Sequence, residues 1–296
     1  MRPQDMRQDA SSTERWPFVT VSMSEAAPEA TNEDRFGAWQ GPAGLFAWMI
    51  DAAATVTERR FFADDATDGA TDGAWYAGRL DALIARHLAA EIATPREALK
   101  RALLDLEAST RATRACAPRW AWPLAAISLV RLRRGEAGAW RLDGVHLGDC
   151  PVYAVRESVA PVWEHRPSGE IRLQNVCLAS REEAIARLQR AREHQHGAAS
   201  RSIAGFDPSA ADAARESAML IPAGGHVVLL SDGLARCFDE YGLAERNEAL
   251  RRCLSDAGAR AVLAEMRAYE SAVYAHREGR MLKSADDASC LVLQCP

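Results

Sequence analysis

The 296-residue sequence contains no apolar run long enough to cross a membrane. Its longest nearly uncharged stretches, Pro42–Ile50 and Trp120–Val130, fall well short of the ~20 residues a spanning helix needs. Positive charge is not in excess either: 36 Lys+Arg stand against 41 Asp+Glu, a net charge of −5, which argues against a nucleic-acid binder. No C-x-x-C pair occurs. Cys116, Cys150, Cys177, Cys237, Cys253, Cys290 and Cys295 are odd in number and scattered, too widely for a zinc site, so they read as small buried apolar residues in a reducing compartment. The first fifteen residues (MRPQDMRQDASSTER) carry charges of both signs and no apolar core, so a secretory signal is not expected and a cytoplasmic location is. What the chain does have is apolar content: 48% hydrophobic residues are ample for a sizeable core.

After a lead-in over residues 1–15, read as flexible, the pattern alternates between the two periods of regular structure. Phe18–Met23 alternates apolar and polar, as a half-buried strand does, and Leu45–Ile50 is a continuous apolar run, as in a strand buried on both faces. The tandem ATDGATDGA at residues 66–74 reads as a surface loop. Residues 75–92 place Leu80, Leu83, Ile84, His87 and Leu88 at helical spacing, and residues 95–116 open with Pro95 and Glu97, both favourable in a first helical turn. Three strands follow, 124–132, 139–147 and 152–156, then a helix over 181–194, a strand at His226–Leu230, a helix over 257–276 with Met266, Tyr269 and Val273 on one side, and a last strand at 289–294. No linker interrupts the series, so an α+β fold in a single domain over 16–296 is expected.

Carboxylates recur where buried strands run out. Glu33 and Asp34 precede the strand at 45–50, Asp51 ends it, Asp232 follows Val227–Leu230, and Asp286 opens the last strand. An Asp beside a Gly after a strand is by itself a turn or cap residue. Several at the ends of neighbouring strands would converge, and their mutual repulsion would call for a divalent cation. With no His or Cys among them, the donor set favours Mg²⁺ or Mn²⁺ over zinc. Two such ions ~3.5–4 Å apart can activate a shared water for in-line attack on phosphorus.

In sequence order the segments NEDR, MIDAAAT, GVHLGDCPVYAV, IPAGGHVVLLSDGL and DDASCLVL resemble the metal-dependent protein phosphatases of the PP2C (PPM) type, from about residue 18 to residue 295, and MIDAAAT resembles that family's divergent IDGAT bacterial subgroup. The resemblance implies a four-layer α-β-β-α sandwich, two antiparallel sheets flanked by helices. It implies two Mn²⁺ or Mg²⁺ ions, with Asp51 bridging both, Asp232 and Asp286 as further direct ligands, Glu33 and Asp34 as the pair holding metal-bound waters, and Ala52 offering its backbone carbonyl. The implied reaction is hydrolysis of phosphoserine and phosphothreonine in proteins, in bacterial-style signalling opposite a Ser/Thr kinase. Residues 157–218 would include the flap beside the active site.

The chain departs from the family pattern at three places. Asp51 is followed by Ala52 instead of glycine, which costs ~1–2 kcal/mol only where the backbone is left-handed. Glu29 stands where bacterial members often carry a phosphate-binding Arg, with Arg35 as the nearby substitute, and Ala53 leaves no adjacent His as a general acid. Two alternatives follow: a catalytically weak or inactive binding module with the same fold, and a phosphohydrolase for small molecules. Elsewhere, Cys150 reads as buried, Asp149 as either near the site or a turn cap, the HQH at 194–196 as a solvated helix end, Arg131, Arg133 and Arg134 as a solvated hairpin cluster, and Trp120, Trp122 and Trp140 as core or edge aromatics.

Overall fold

A computed structural model describes residues 16–53, 59–63, 70–90, 92, 94–164, 181–196, 202–277 and 285–296. The lead-in over 1–15 and Cys177 lie outside them, as does much of the loop tandem. Among the described residues, ten strands form two five-stranded antiparallel sheets. One has the order β1-β10-β9-β6-β7, built from β1 (Phe18–Glu25), β6 (Val152–Val155), β7 (Val159–Trp163), β9 (His226–Leu230) and β10 (Ala288–Gln294). The other has the order β2-β3-β4-β5-β8, from β2 (Asp34–Gly41), β3 (Gly44–Ala52), β4 (Ala125–Arg134), β5 (Trp140–Leu147) and β8 (Arg215–Ile221).

Three apolar layers hold the sandwich together. Because side chains alternate along a strand, β3 supplies two of them. Phe46, Trp48, Ile50 and Ala52 face α1 (Asp72–Ala89) and α2 (Pro95–Cys116), meeting Tyr76, Leu80, Ile84, Leu99 and Leu103. Leu45, Ala47 and Met49 face the opposite sheet and pack with Leu229, Leu291 and Leu293. The third layer joins Val228, Leu230 and Val292 to α5 (Asp232–Asp239), α6 (Arg246–Arg252) and α7 (Asp256–Arg277). This is the expected α-β-β-α sandwich.

Several local expectations are corrected. The second copy of the tandem is the start of α1: Thr71 caps it by accepting the Ala74 N–H, and Asp72 accepts the N–H groups of Phe61, Phe62 and Ala63. On α7 the buried stripe is Ala259, Val262, Leu263 and Met266, while Tyr269 is exposed and packs its ring at a tilt against Tyr241. The hairpin arginines are engaged: Arg131 and Arg133 reach Asp143 at 2.8 and 3.0 Å, and Arg134 lies over the Trp140 ring. Burial alone would raise the Asp143 carboxyl, but Arg131, Arg141 and Arg133 bring it down to about 2. His194 is exposed as expected, whereas His196 packs on Trp122 and bonds its carbonyl at 2.9 Å. α3 (Arg181–Gln195) and the short α4 (Ala210–Ala213) complete the described helices, and none of these is long and apolar enough to cross a membrane.

His146 of β5 is enclosed between the sheets. Its Nδ1 lies 2.8 Å from the Ser128 hydroxyl and its Nε2 2.7 Å from that of Ser217, with the ring stacked on Trp163. Ser128 donates its proton to the Cys150 carbonyl, so it accepts from Nδ1–H, and Nε2 is left to accept from Ser217. Burial pushes this imidazole down to about 3. The unfolded chain therefore binds a proton between pH 6.5 and 3 that the folded chain does not, and stability falls with acid at up to roughly 1.4 kcal/mol per pH unit. Urea unfolding at pH 7 and pH 5 should show wild type losing about 2 kcal/mol more than His146→Gln; an equal loss in both would remove His146 from the acid response.

Candidate functional site

The alternation that sends Leu45, Ala47 and Met49 toward the other sheet sends Asp51 the same way, at the strand's last turnout before the loop. Asp34 is its direct partner in the β2–β3 ladder, so the two carboxylates share a face at the mouth of the sandwich. The facing sheet contributes Asp232, the first residue of α5 after β9, and Asp286, just ahead of β10. Asp149, in the turn between β5 and β6, completes the group: its charge acts on Asp51, as do those of Asp34, Asp232 and Asp286. Asp149 therefore belongs near the site.

Close approach between the two halves depends on small backbone and buried polar groups. Gly233 packs so tightly that a Cβ there would collide with the Asp287 carbonyl and reach 3.3 Å from the Asp286 Cβ. Asp287 is structural: its carboxylate accepts the N–H groups of Ala27 at 2.8 Å and Glu33 at 2.7 Å, tying the β1–β2 connection to the start of β10. Ser231 accepts the Ser289 N–H at 2.9 Å, and the Asp232 N–H points to Asp51 Oδ2 at 3.4 Å.

The electrostatics are those of crowded like charge. Asp34 is 2% exposed, and neither of its carboxylate oxygens has a hydrogen bond of ordinary geometry. Burial raises its carboxyl to about 7; the Ser289 and Ser231 hydroxyls work against the rise, and Asp287 and Asp232 add to it. Asp51 is held well above the usual carboxylate range, first by desolvation and then by its acidic neighbours. The same surroundings push the buried Cys150 thiol up, so it stays protonated.

Two arginines enter this setting that the sequence reading did not single out. Arg236, one turn into α5, donates from Nη2 to Asp286 Oδ2 at 2.9 Å and Asp232 Oδ2 at 3.2 Å. Burial disfavours its charge, but Asp232, Asp286, Tyr241 and Glu240 outweigh that and raise its pKa. Arg192 of α3 is 6% exposed; burial lowers it to about 10 against the opposing charge of Glu33. Glu33 itself sits at the N-terminus of α1, where it accepts from the Thr71 hydroxyl and where only glycine at 73 leaves room for it. An i+4 relation to Asp232 was the available signal for Arg236; nothing in the helical pattern of 181–194 marks Arg192.

The other named residues are placed as follows. Ala52 closes β3, 4% exposed, and is not among the residues with a left-handed backbone, so alanine carries no strain there. Glu29 does have one (φ 60°), in an exposed turn. Arg35 donates to the carbonyls of Asn32 and Asp34 at 3.0 and 2.6 Å, and its charge acts on Asp81 of α1, on the helix side of the sheet.

A hard divalent cation fits part of this arrangement. Asp34 and Asp51 offer hard oxygen donors, two of them buried and unsatisfied. At Asp232 and Asp286 a guanidinium already provides the positive charge. Among the described residues, no three His, Cys, Asp or Glu side chains are gathered ready to enclose an ion. The Gly233 contact gives a direct check on the packing: Gly233→Ala should lower stability in chemical denaturation by about 2 kcal/mol or more through overpacking, while a neutral effect would mean the α5–β10 junction is looser than described.

No protein-family model matches the chain, and no curated protein matches it in sequence. Solved structures do. The serine/threonine phosphatase of S. agalactiae aligns with a TM-score of 0.54 at 11% identity, covering 95% of this chain and 100% of that one. The Mycobacterium tuberculosis serine/threonine phosphatase PstP/Ppp aligns at 0.53 and 15% identity, over 94% and 99%. The catalytic domain of PstP in complex with two manganese ions aligns at 0.52 and 14%, over 94% and 97%. Identities this low speak to architecture alone, and on that ground the chain has the PP2C-type fold.

Proposed function

We propose that this chain is a divalent-cation-dependent phosphatase acting on phosphoserine and phosphothreonine in proteins. The observation that carries the reading is the Asp34–Asp51 pair, Asp34 buried and Asp51 partly so, whose carboxylates act on one another with no protein cation bonded to Asp34. Asp34 and Asp51 would hold the ion. Bound there, Mn²⁺ or Mg²⁺ supplies neutralisation of the carboxylates and of the phosphoryl oxygens, and acidifies water for attack on phosphorus. The chain's own groups do the rest. The Asp232 N–H orients the Asp51 carboxylate, and Asp286 lies across the mouth with Asp232. Cys150, protonated and buried, is unsuited to form a phosphocysteine, which is consistent with hydrolysis by water. Glu33, anchored on α1, and Arg192 of α3 border the cluster, which supports reading 157–218 as the segment that shapes substrate access, within one catalytic unit over 16–296. A kinase acting on the same sites would be its counterpart. Arg35 is less suited to grip phosphate, since its Nη1 donates to two backbone carbonyls and its charge acts on Asp81 of α1.

A second reading, a binding module without turnover, is favoured by one observation: Arg236 among the carboxylates. Turnover separates the two. With millimolar Mn²⁺ the full chain should hydrolyse p-nitrophenyl phosphate and phosphopeptides, lose that activity on chelation, and lose about 100-fold or more in Asp51→Asn and Asp34→Asn, the scale of a removed electrostatic contact. A rate no higher than the protein-free control, from folded protein, would shift the assignment to binding. Hydrolysis of nucleotides or sugar phosphates in preference to phosphopeptides would instead indicate a small-molecule phosphohydrolase.

A further inference from the structure

We propose that the Arg236 guanidinium is a permanent cation of the acidic site, occupying the Asp232–Asp286 half, so that the chain binds one divalent ion, at Asp34 and Asp51, and not two. The inference rests on the cation-dependent reading above and fixes how many ions that reading needs. Asp232 and Arg236 stand four residues apart on α5, and Glu240, four further on, is the residue that ends the helix, so the guanidinium lies between a carboxylate at the helix start and one at its end. Nη2 reaches Asp286 at 2.9 Å and Asp232 at 3.2 Å, while Nε faces Glu240 at 3.8 Å and Tyr241 adds a further polar contact. The side chain is 13% exposed and engaged on both sides. An arginine does not deprotonate, so this charge is constant. An ion between Asp232 and Asp286 would have to displace Nη2 and then share a nearly closed space with the trapped guanidinium, cation against cation. Asp34 is the opposite case, with both oxygens buried and lacking any hydrogen bond of ordinary geometry. One half of the site therefore carries its own neutralising charge, and the other is left to take up a proton or a cation from solution.

Equilibrium dialysis and titration calorimetry of the full chain with Mn²⁺ test this, alongside electron paramagnetic resonance of the loaded protein. Wild type should take up one Mn²⁺ and give the spectrum of an isolated ion, Arg236→Lys should do the same, and Arg236→Ser should take up two with the signature of a coupled pair. Two ions in wild type would overturn the proposal while leaving the phosphatase reading intact, and this result does not depend on any variant folding. One ion in both wild type and folded Arg236→Ser would also overturn it, since the guanidinium would not be what excludes the second. No uptake by either would sink the cation-dependent reading itself and this inference with it.

Discussion

Everything at the working end of this molecule answers to one constraint: five aspartates, Asp34, Asp51, Asp149, Asp232 and Asp286, are brought close enough for their charges to act on one another in a poorly solvated mouth. Such a cluster is costly unless each carboxylate is neutralised, protonated or hydrogen-bonded. The chain uses different means in different places. Asp287, next in sequence to Asp286, is satisfied by two backbone N–H groups and becomes a structural tie. Asp232 and Asp286 share an arginine. Asp34 has neither solution, and its carboxyl is pushed toward neutrality in consequence.

The sandwich makes this convergence possible because its two sheets share an apolar layer that ends abruptly. The inward face of β3 runs Leu45, Ala47, Met49 and then Asp51, so the change from apolar to acidic falls where the layer opens to solvent. On the other sheet β9 ends at Leu230 and Asp232 follows two residues later at the start of α5, where Gly233 lets that helix sit against the strand leading from Asp286. A hydrophobic run and the polar residue that terminates it are thus one device: burial of the run fixes the strand, and the strand fixes the carboxylate.

That coupling explains what could be read from the sequence. The central strands β3, β4 and β9, buried on both faces, are nearly continuous apolar runs, and the aspartates that end β3 and follow β9 are conspicuous for that reason. The strands β2, β7 and β8 carry no such pattern, and all three are sheet edges, where one side of the ladder is open and residues such as Arg215, Glu216, Gln40 and Pro161 are tolerated. The short helices α5 and α6 were missed for another reason: Ser231-Asp232-Gly233 has the composition of a turn, and only the packing of Leu234 and Cys237 against the sheet makes it a helix start. Arg192 and the Arg236–Asp286 contact are hidden for a third reason: a basic residue on a helix is ordinarily solvated, and its pairing with a distant acid is a tertiary fact that no periodicity encodes, although the i+4 spacing of Asp232 and Arg236 is visible in the sequence.

The origin of a neutralising charge also decides what controls it. A cation from solution comes and goes with its concentration, so a site that depends wholly on ions is coupled to metal supply and to every chelator present. A guanidinium is carried by the backbone and is present whenever α5 is folded. With Asp232 and Asp286 tied to Arg236, that half of the mouth is organised by folding itself, and the junction of α5 with β10 does not wait on an ion to hold its carboxylates together. On the proposed reading, ion dependence would concentrate on Asp34 and Asp51, two residues of one sheet already fixed as ladder partners by the β2–β3 pairing. Preorganisation of this kind lowers the cost of ordering a site when ligand arrives, but it also spends on a fixed charge the ligand capacity that a second mobile ion would have used.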